Sequence, residues 1–372
     1  MSREKIIFLS VKNPESKKDW SGIPYYMFHA LREIYDIEWI SGPKLGMTKR
    51  MLRYLGKALE RLTGSKFIFD YGGVTARLYG RYYSRVLAGK SDIKFVFVPA
   101  GLTEISDLQT NLLVVAVGDC SVLQLLDYYP ALNGVSAYSR TDVEQVERSA
   151  LARCARIVFS SNWASDFVRS RYGVESSVIP FGANIQPPEV LAKKMSDSCR
   201  LLVVGVDWQR KGGDSAMEVQ RLLINREVRS SLTVVGMRPE SDDNIPPYVN
   251  FISVDKDSES GELTYIELLK NSDLLLLPTL ADCTPIVIAE AFAVGLPVLA
   301  TRTGGIPSMI DEGVTGFLFE PGDAKGYGER IMKLLDQPEL YTALSANCLA
   351  ASRNLFNWRH FALEIKKLCA TL

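Results

Sequence analysis

The sequence predicts an α/β chain built from two doubly wound domains. Twelve short apolar runs alternate with helical patterns along 372 residues. The runs are continuous rather than alternating, as expected of strands in parallel sheets covered on both faces. They also fall into two series of six, and the chain is too long for one ordinary core. The first series is 5–10, 36–40, 94–98, 112–117, 156–160 and 176–180. The second is 200–205, 231–236, 249–253, 273–278, 297–300 and 316–319. Strands separated by helices in this way wind into open parallel sheets. The expected division is a first domain over 1–183, a second over 184–355, and a C-terminal helix over 356–372 that packs back on the first. Pro187-Pro188 and Lys193-Lys194 suit a hinge region between the domains.

Composition narrows the classes of function. Six cysteines are scattered without a Cys-x-x-Cys pair, against a disulfide framework or zinc site and in keeping with a reducing cytosol. Only two histidines, His29 and His360, are present, too few for a multi-histidine metal centre. No metal and no bound cofactor are expected. The N-terminus runs directly into an apolar strand, so no signal peptide is expected. The apolar region 274–300 is interrupted by Asp282 and Glu290, and reads as strand–turn–helix rather than a membrane span. The cytoplasm is the expected compartment. The 43 basic and 43 acidic residues cancel, but residues 1–100 hold 18 of the former against 9 of the latter.

Ligands of open parallel sheets bind outside the carboxyl ends of the strands, so the loops there are the candidates. After the run 200–205 comes Gly205-Val206-Asp207-Trp208-Gln209-Arg210-Lys211-Gly212-Gly213. Two adjacent cations, Arg210 and Lys211, would face a diphosphate there; a solvated loop with a glycine turn is the plainer alternative. After 273–278, Asp282 sits in a loop and Glu290 on the helix that follows. Each carboxylate can accept two hydrogen bonds from vicinal hydroxyls; alternatively Asp282 is a helix N-cap and Glu290 an ordinary helical residue. Gly304-Gly305-Ile306-Pro307 is expected to open a further helix whose free amides attract an anion, or to be a structural turn. In the first domain Trp20-Ser21-Gly22-Ile23-Pro24-Tyr25-Tyr26 follows the first strand, where Gly22 lets backbone approach a ligand. Asp119, after the run 112–117, is a candidate polar group beside a reacting sugar, or a loop residue.

Taken in order, these segments resemble the retaining glycosyltransferases of family 4, of GT-B architecture. Ser160-Ser161-Asn162-Trp163 and Pro180-Phe181-Gly182-Ala183-Asn184 add to the resemblance, which covers nearly the whole chain. It implies two Rossmann-like domains facing each other across a cleft. The activity implied is transfer of a sugar from a nucleotide-diphosphate donor to a glycan, lipid-linked or small-molecule acceptor. By the same resemblance Glu290 holds the ribose hydroxyls and Asp282 contacts the donor sugar. Lys211, helped by Arg210, neutralises the diphosphate. The amides around Ile286 and Val287 and the turn at Gly304 and Gly305 cradle phosphate. Gly22 approaches the phosphates from the first domain, Val254 to Asp257 lie near the base, and Asp119 replaces a histidine usual in the family. The sequence departs from the family at Val206, where arginine is common, at Asp282, where glutamate is common, and at Pro285, where glycine is common. Front-face attack with retention is the implied mechanism, the departing phosphate taking the acceptor's proton. The departures keep open a non-catalytic nucleotide-sugar-binding protein. Another enzyme of the same architecture, such as an epimerase, is disfavoured by the shortage of histidine.

Residues 44–66 read as a helix with Met51, Leu55, Leu59 and Leu62 on one stripe and Arg50, Arg53, Lys57 and Arg61 on another. The pattern suits peripheral contact with an anionic membrane, or an acidic or lipid-linked acceptor. No nucleic-acid motif accompanies it.

Overall fold

A computed structural model of the chain describes residues 3–186, 189–196, 198–240 and 245–372. Pro187-Pro188, read as part of the hinge, lie outside the described residues. The chain divides into two compact units, Met1–Ile179 with Ala362–Leu372, and Pro180–Phe361.

The first unit holds six parallel strands: β1 (Lys5–Ser10), β2 (Asp36–Ser41), β3 (Val96–Pro99), β4 (Val114–Gly118), β5 (Arg156–Phe159) and β6 (Ser177–Val178), in the order β2-β1-β3-β4-β5-β6. Its central strands are apolar because both faces are covered: every residue of Val96–Pro99 and Val114–Gly118 is buried. Phe8 stands beside Trp39 on one neighbour and Phe97 on the other; its ring stacks on Phe97 at 5.5 Å and meets the edge of Phe28 at 5.2 Å. The strand order reverses between β1 and β3, which makes the crevice there a switch point.

The second unit repeats the plan with β7 (Cys199–Val204), β8 (Ser230–Val235), β9 (Val249–Ile252), β10 (Leu274–Leu277), β11 (Val298–Thr301) and β12 (Gly316–Phe319), in the order β12-β11-β10-β7-β8-β9. Counted from its own first strand this is the 3-2-1-4-5-6 order, and the reversal lies between β7 and β10. All twelve strands were legible as apolar runs.

The boundary differs from the expected one. Residues 180–184 group with the second unit because they are fastened to its end. The Phe181 ring stacks on Trp358 at 5.8 Å, the Ala183 amide donates to the Phe356 carbonyl at 3.1 Å, and the Trp358 indole donates to Asn184 at 2.8 Å. The C-terminal helix Trp358–Leu368 is shared, its first turn grouping with the second unit and the rest with the first.

Candidate functional site

In the second unit the loops after β7 and β10 flank the switch point, and they are built into one another. Gly212, at φ +70°, begins the helix Gly213–Asn225, and a Cβ there would run into the Pro278 carbonyl. Only glycine satisfies both the left-handed backbone and that approach. The Leu280 amide and the Thr279 hydroxyl donate to the Arg210 carbonyl at 2.8 and 2.9 Å. The Arg210 guanidinium returns a bond to the Ala281 carbonyl at 2.9 Å. Gly205 leaves room for Lys211, since a Cβ there would lie 2.7 Å from the lysine's Cγ.

This stitching sets the charges. The Lys211 ammonium donates to the Asp282 carboxylate, both side chains being largely buried, and Arg210 stands 3.7 Å from the same oxygen. Asp282 is not a helix N-cap; Pro285 holds that position. The helix Ile286–Ala293 therefore starts with no side-chain cap, and its first amides, including those of Ile286 and Val287, have no partner within the helix. The Gly305 amide donates to the Asp282 carbonyl at 3.3 Å, which ties that turn to the cluster. Thus Arg210, Lys211, Asp282 and Gly305 are brought together directly.

Beyond Gly305 the structure corrects the sequence reading. Gly304 has φ +54°, as a glycine turn requires, but only a single 3-10 turn, Ile306–Ser308, follows it. The apolar pair Met309 and Ile310 is drawn into the core, and a tight turn at Gly313 leads into β12. No helix dipole builds up here, so this turn adds no helix N-terminus to the crevice.

Glu290 lies one turn inside the helix Ile286–Ala293 and is 0% exposed. It is not an ordinary helical residue. Its two oxygens accept from the Lys256 ammonium and the Tyr265 hydroxyl, each at 2.7 Å. The ammonium also stands 4.0 Å from the centre of the Tyr265 ring, a cation–π arrangement. Burial, with the neighbouring carboxylate, pushes the Tyr265 hydroxyl well above its usual pKa, so it remains a donor. Tyr265 was not foreseen, and Lys256 only as part of the segment 254–257. Nothing in their spacing from Glu290 marks them; the sheet order brings them together.

In the first unit the residues after β1 are strained. Trp20, Ser21 and Gly22 have φ of +46°, +54° and +80° in succession. Gly22 begins the helix Ile23–Arg32, with Pro24 in its first turn. The Trp20 indole donates to the Asp119 carboxylate at 3.1 Å, bridging the loops after β1 and β4. Trp20 is a positioning group that the sequence reading passed over within a motif it had singled out.

Residues 198–337, all within the second unit, match the model of a family described as glycosyl transferases group 1. N-acetyl-alpha-D-glucosaminyl L-malate synthase of Bacillus anthracis is 37% identical over 116 residues, 31% of this chain and 30% of that protein. The chain spans about a third of the length of the first curated relatives it matches. Among solved structures, sucrose-phosphate synthase from Thermosynechococcus elongatus superposes with TM-score 0.69 at 17% identity, covering 99% of each chain. An Anabaena protein, HepE, solved in complex with UDP and glucose, superposes with TM-score 0.65 at 14% identity over the whole of both chains. The two six-stranded parallel sheets with their helices are the architecture of GT-B glycosyltransferases.

Proposed function

We propose that this chain, which carries the glycosyl transferases group 1 match in its second unit, is a glycosyltransferase. It takes its sugar from a nucleoside-diphosphate donor and passes it, with retention at the anomeric carbon and without a metal, to a glycan, lipid-linked or small-molecule acceptor. The observation that supports this most is the cluster Lys211–Asp282–Arg210 at the second switch point, beside an uncapped helix start.

Each residue has a part in that reading. The bond from the anomeric carbon to the β-phosphate oxygen breaks, and its electron pair stays on the phosphate. Lys211, Arg210 and the first amides of the helix Ile286–Ala293 stabilise the growing negative charge where water would do so less well. The acceptor hydroxyl forms its bond on the face the phosphate leaves, and its proton passes to that phosphate. Asp282, already oriented by Lys211, accepts from sugar hydroxyls. Glu290 takes the ribose hydroxyls, with Tyr265 holding one of its oxygens and Lys256 yielding the other. The turn at Gly304 and Gly305 backs the phosphates. The first unit is read as the acceptor side, with Asp119, held by Trp20, as its candidate polar group and Gly22 as the point of close backbone approach.

A non-catalytic nucleotide-sugar-binding protein is the second reading. Val206 motivates it: where the family it resembles commonly has arginine, this valine is 84% exposed. Incubation with UDP-, GDP-, ADP- and TDP-sugars and an acceptor panel separates the two. Transfer predicts release of nucleoside diphosphate that survives chelation of divalent ions, and a product of unchanged anomeric configuration. An inverted product contradicts retention. Donor binding without release favours the second reading, and a new sugar formed without acceptor favours an epimerase.

A further inference from the structure

The helix Gly46–Thr63 presents an apolar stripe to solvent. Met47 is 81% exposed and Leu62 is 82% exposed, and between them Met51, Tyr54 and Leu55 are also exposed. At 100° per residue all five fall within about 100° of one another around the helix. The opposite face makes the contacts with the rest of the unit. Gly56 is the helix's one buried residue, and a Cβ there would lie 2.7 Å from the Phe67 carbonyl. Lys49 lies over the Tyr79 ring at 5.4 Å, and Arg53 pairs with Asp70 at 2.9 Å. Arg53, expected on the outer basic stripe, stays exposed, with its charge taken up by Asp70. Arg50, Lys57 and Arg61 flank the apolar stripe on one side, and Glu60 projects the other way. Among the described residues Lys57 and Arg61 have no carboxylate partner.

We propose that this face of the helix docks on a bilayer rich in anionic lipid, lying in the plane of the interface. The apolar stripe enters the acyl boundary while Arg50, Lys57 and Arg61 meet the headgroups. The charge distribution selects this occupant. Two copies meeting through this face would bring basic flanks together, which opposes self-association. A surface of phosphates alone would leave five apolar side chains unmatched. The inference stands apart from the transfer reaction and makes the bilayer a source of acceptor if that reaction holds.

The test is cosedimentation with vesicles of equal parts phosphatidylglycerol and phosphatidylcholine, and with vesicles of phosphatidylcholine alone. The parent is expected to bind the first, weakly or not at all the second, and to be released by salt. The double variant Lys57→Gln/Arg61→Gln should lose roughly fivefold in binding for each charge removed. Met51→Ser/Leu62→Ser should lose at least about tenfold. Neither pair touches the core, so the thermal midpoint and transfer to a soluble acceptor should stay as in the parent. Parent protein left in the supernatant with anionic vesicles overturns the proposal. So does binding that neither double variant weakens, or a concentration-dependent dimer abolished by Met51→Ser/Leu62→Ser.

Discussion

At the switch point of the second sheet a lysine, an arginine and an aspartate are locked in place by bonds between two loops. At that of the first, three successive residues sit at positive φ and one indole reaches across to one carboxylate. The same parallel architecture thus carries paired, largely buried charges in one unit, and a loop at positive φ bridged to Asp119 in the other. Buried charges need partners, and partners fix the loops that carry them. The family match falls inside the unit that carries this cluster.

Replacing Lys211 is the strongest way to break the comparison. Lys211→Ala should lower turnover about 10²–10³-fold, the usual loss for one donor aimed at a developing anion. It should also lower the melting temperature, because the largely buried Asp282 carboxylate loses the ammonium bonded to it. Steady-state kinetics and calorimetry read the two effects separately.

A pair of glycines sharpens the contrast next. Gly212 and Gly64 have nearly the same φ, +70° and +73°. Gly212 abuts the Pro278 carbonyl, whereas nothing lies within 4 Å of a Cβ on Gly64. Gly212→Ala should cost about 3 kcal/mol or more by urea unfolding, and Gly64→Ala about 1 kcal/mol from backbone strain alone. Equal costs would mean that the crowding between the two loops contributes nothing.

Glu290→Gln comes third. Hydrogen bonds to an ionised group contribute about 1.5–3 kcal/mol each, so affinity should fall about 10- to 100-fold. If the carboxylate holds ribose, the loss is the same for every donor whatever its sugar, as titration calorimetry would show. Asp282→Asn should instead lower turnover more than nucleotide affinity.

Trp20→Phe should have the smallest effect. It removes the indole bond to Asp119 and keeps most of the ring's packing. Turnover should fall about tenfold with donor affinity unchanged, the split expected of a group that acts through another. An equal change in both would make Trp20 a purely structural brace.

The strands were legible because their burial on both faces leaves uninterrupted apolar runs, as in Leu274–Leu277. Arg210, Lys211 and Asp282 were legible because they follow such runs directly. Three features were not. Lys256 and Tyr265 reach Glu290 from 34 and 25 residues away, through a contact that only the sheet order creates. Gly304-Gly305-Ile306-Pro307 has the residues of a helix start, yet the pull of Met309 and Ile310 into the core ends it after one turn. Arg53 sits exposed where the helical period places it, but Asp70, seventeen residues on, takes up its charge. Local pattern sets the elements, while pairing of charges across elements sets the site.

The central claim is that the cluster beside the second switch point grips the pyrophosphate of an activated sugar. Thermal shift with UDP-, GDP-, ADP- and TDP-sugars tests it most directly, because a ligand that binds only the folded chain raises its stability with occupancy. At least one donor should raise the melting temperature of the parent, clearly less that of Glu290→Gln, and least that of Lys211→Ala. A panel in which no donor moves the parent, or in which all three proteins shift equally, contradicts the account.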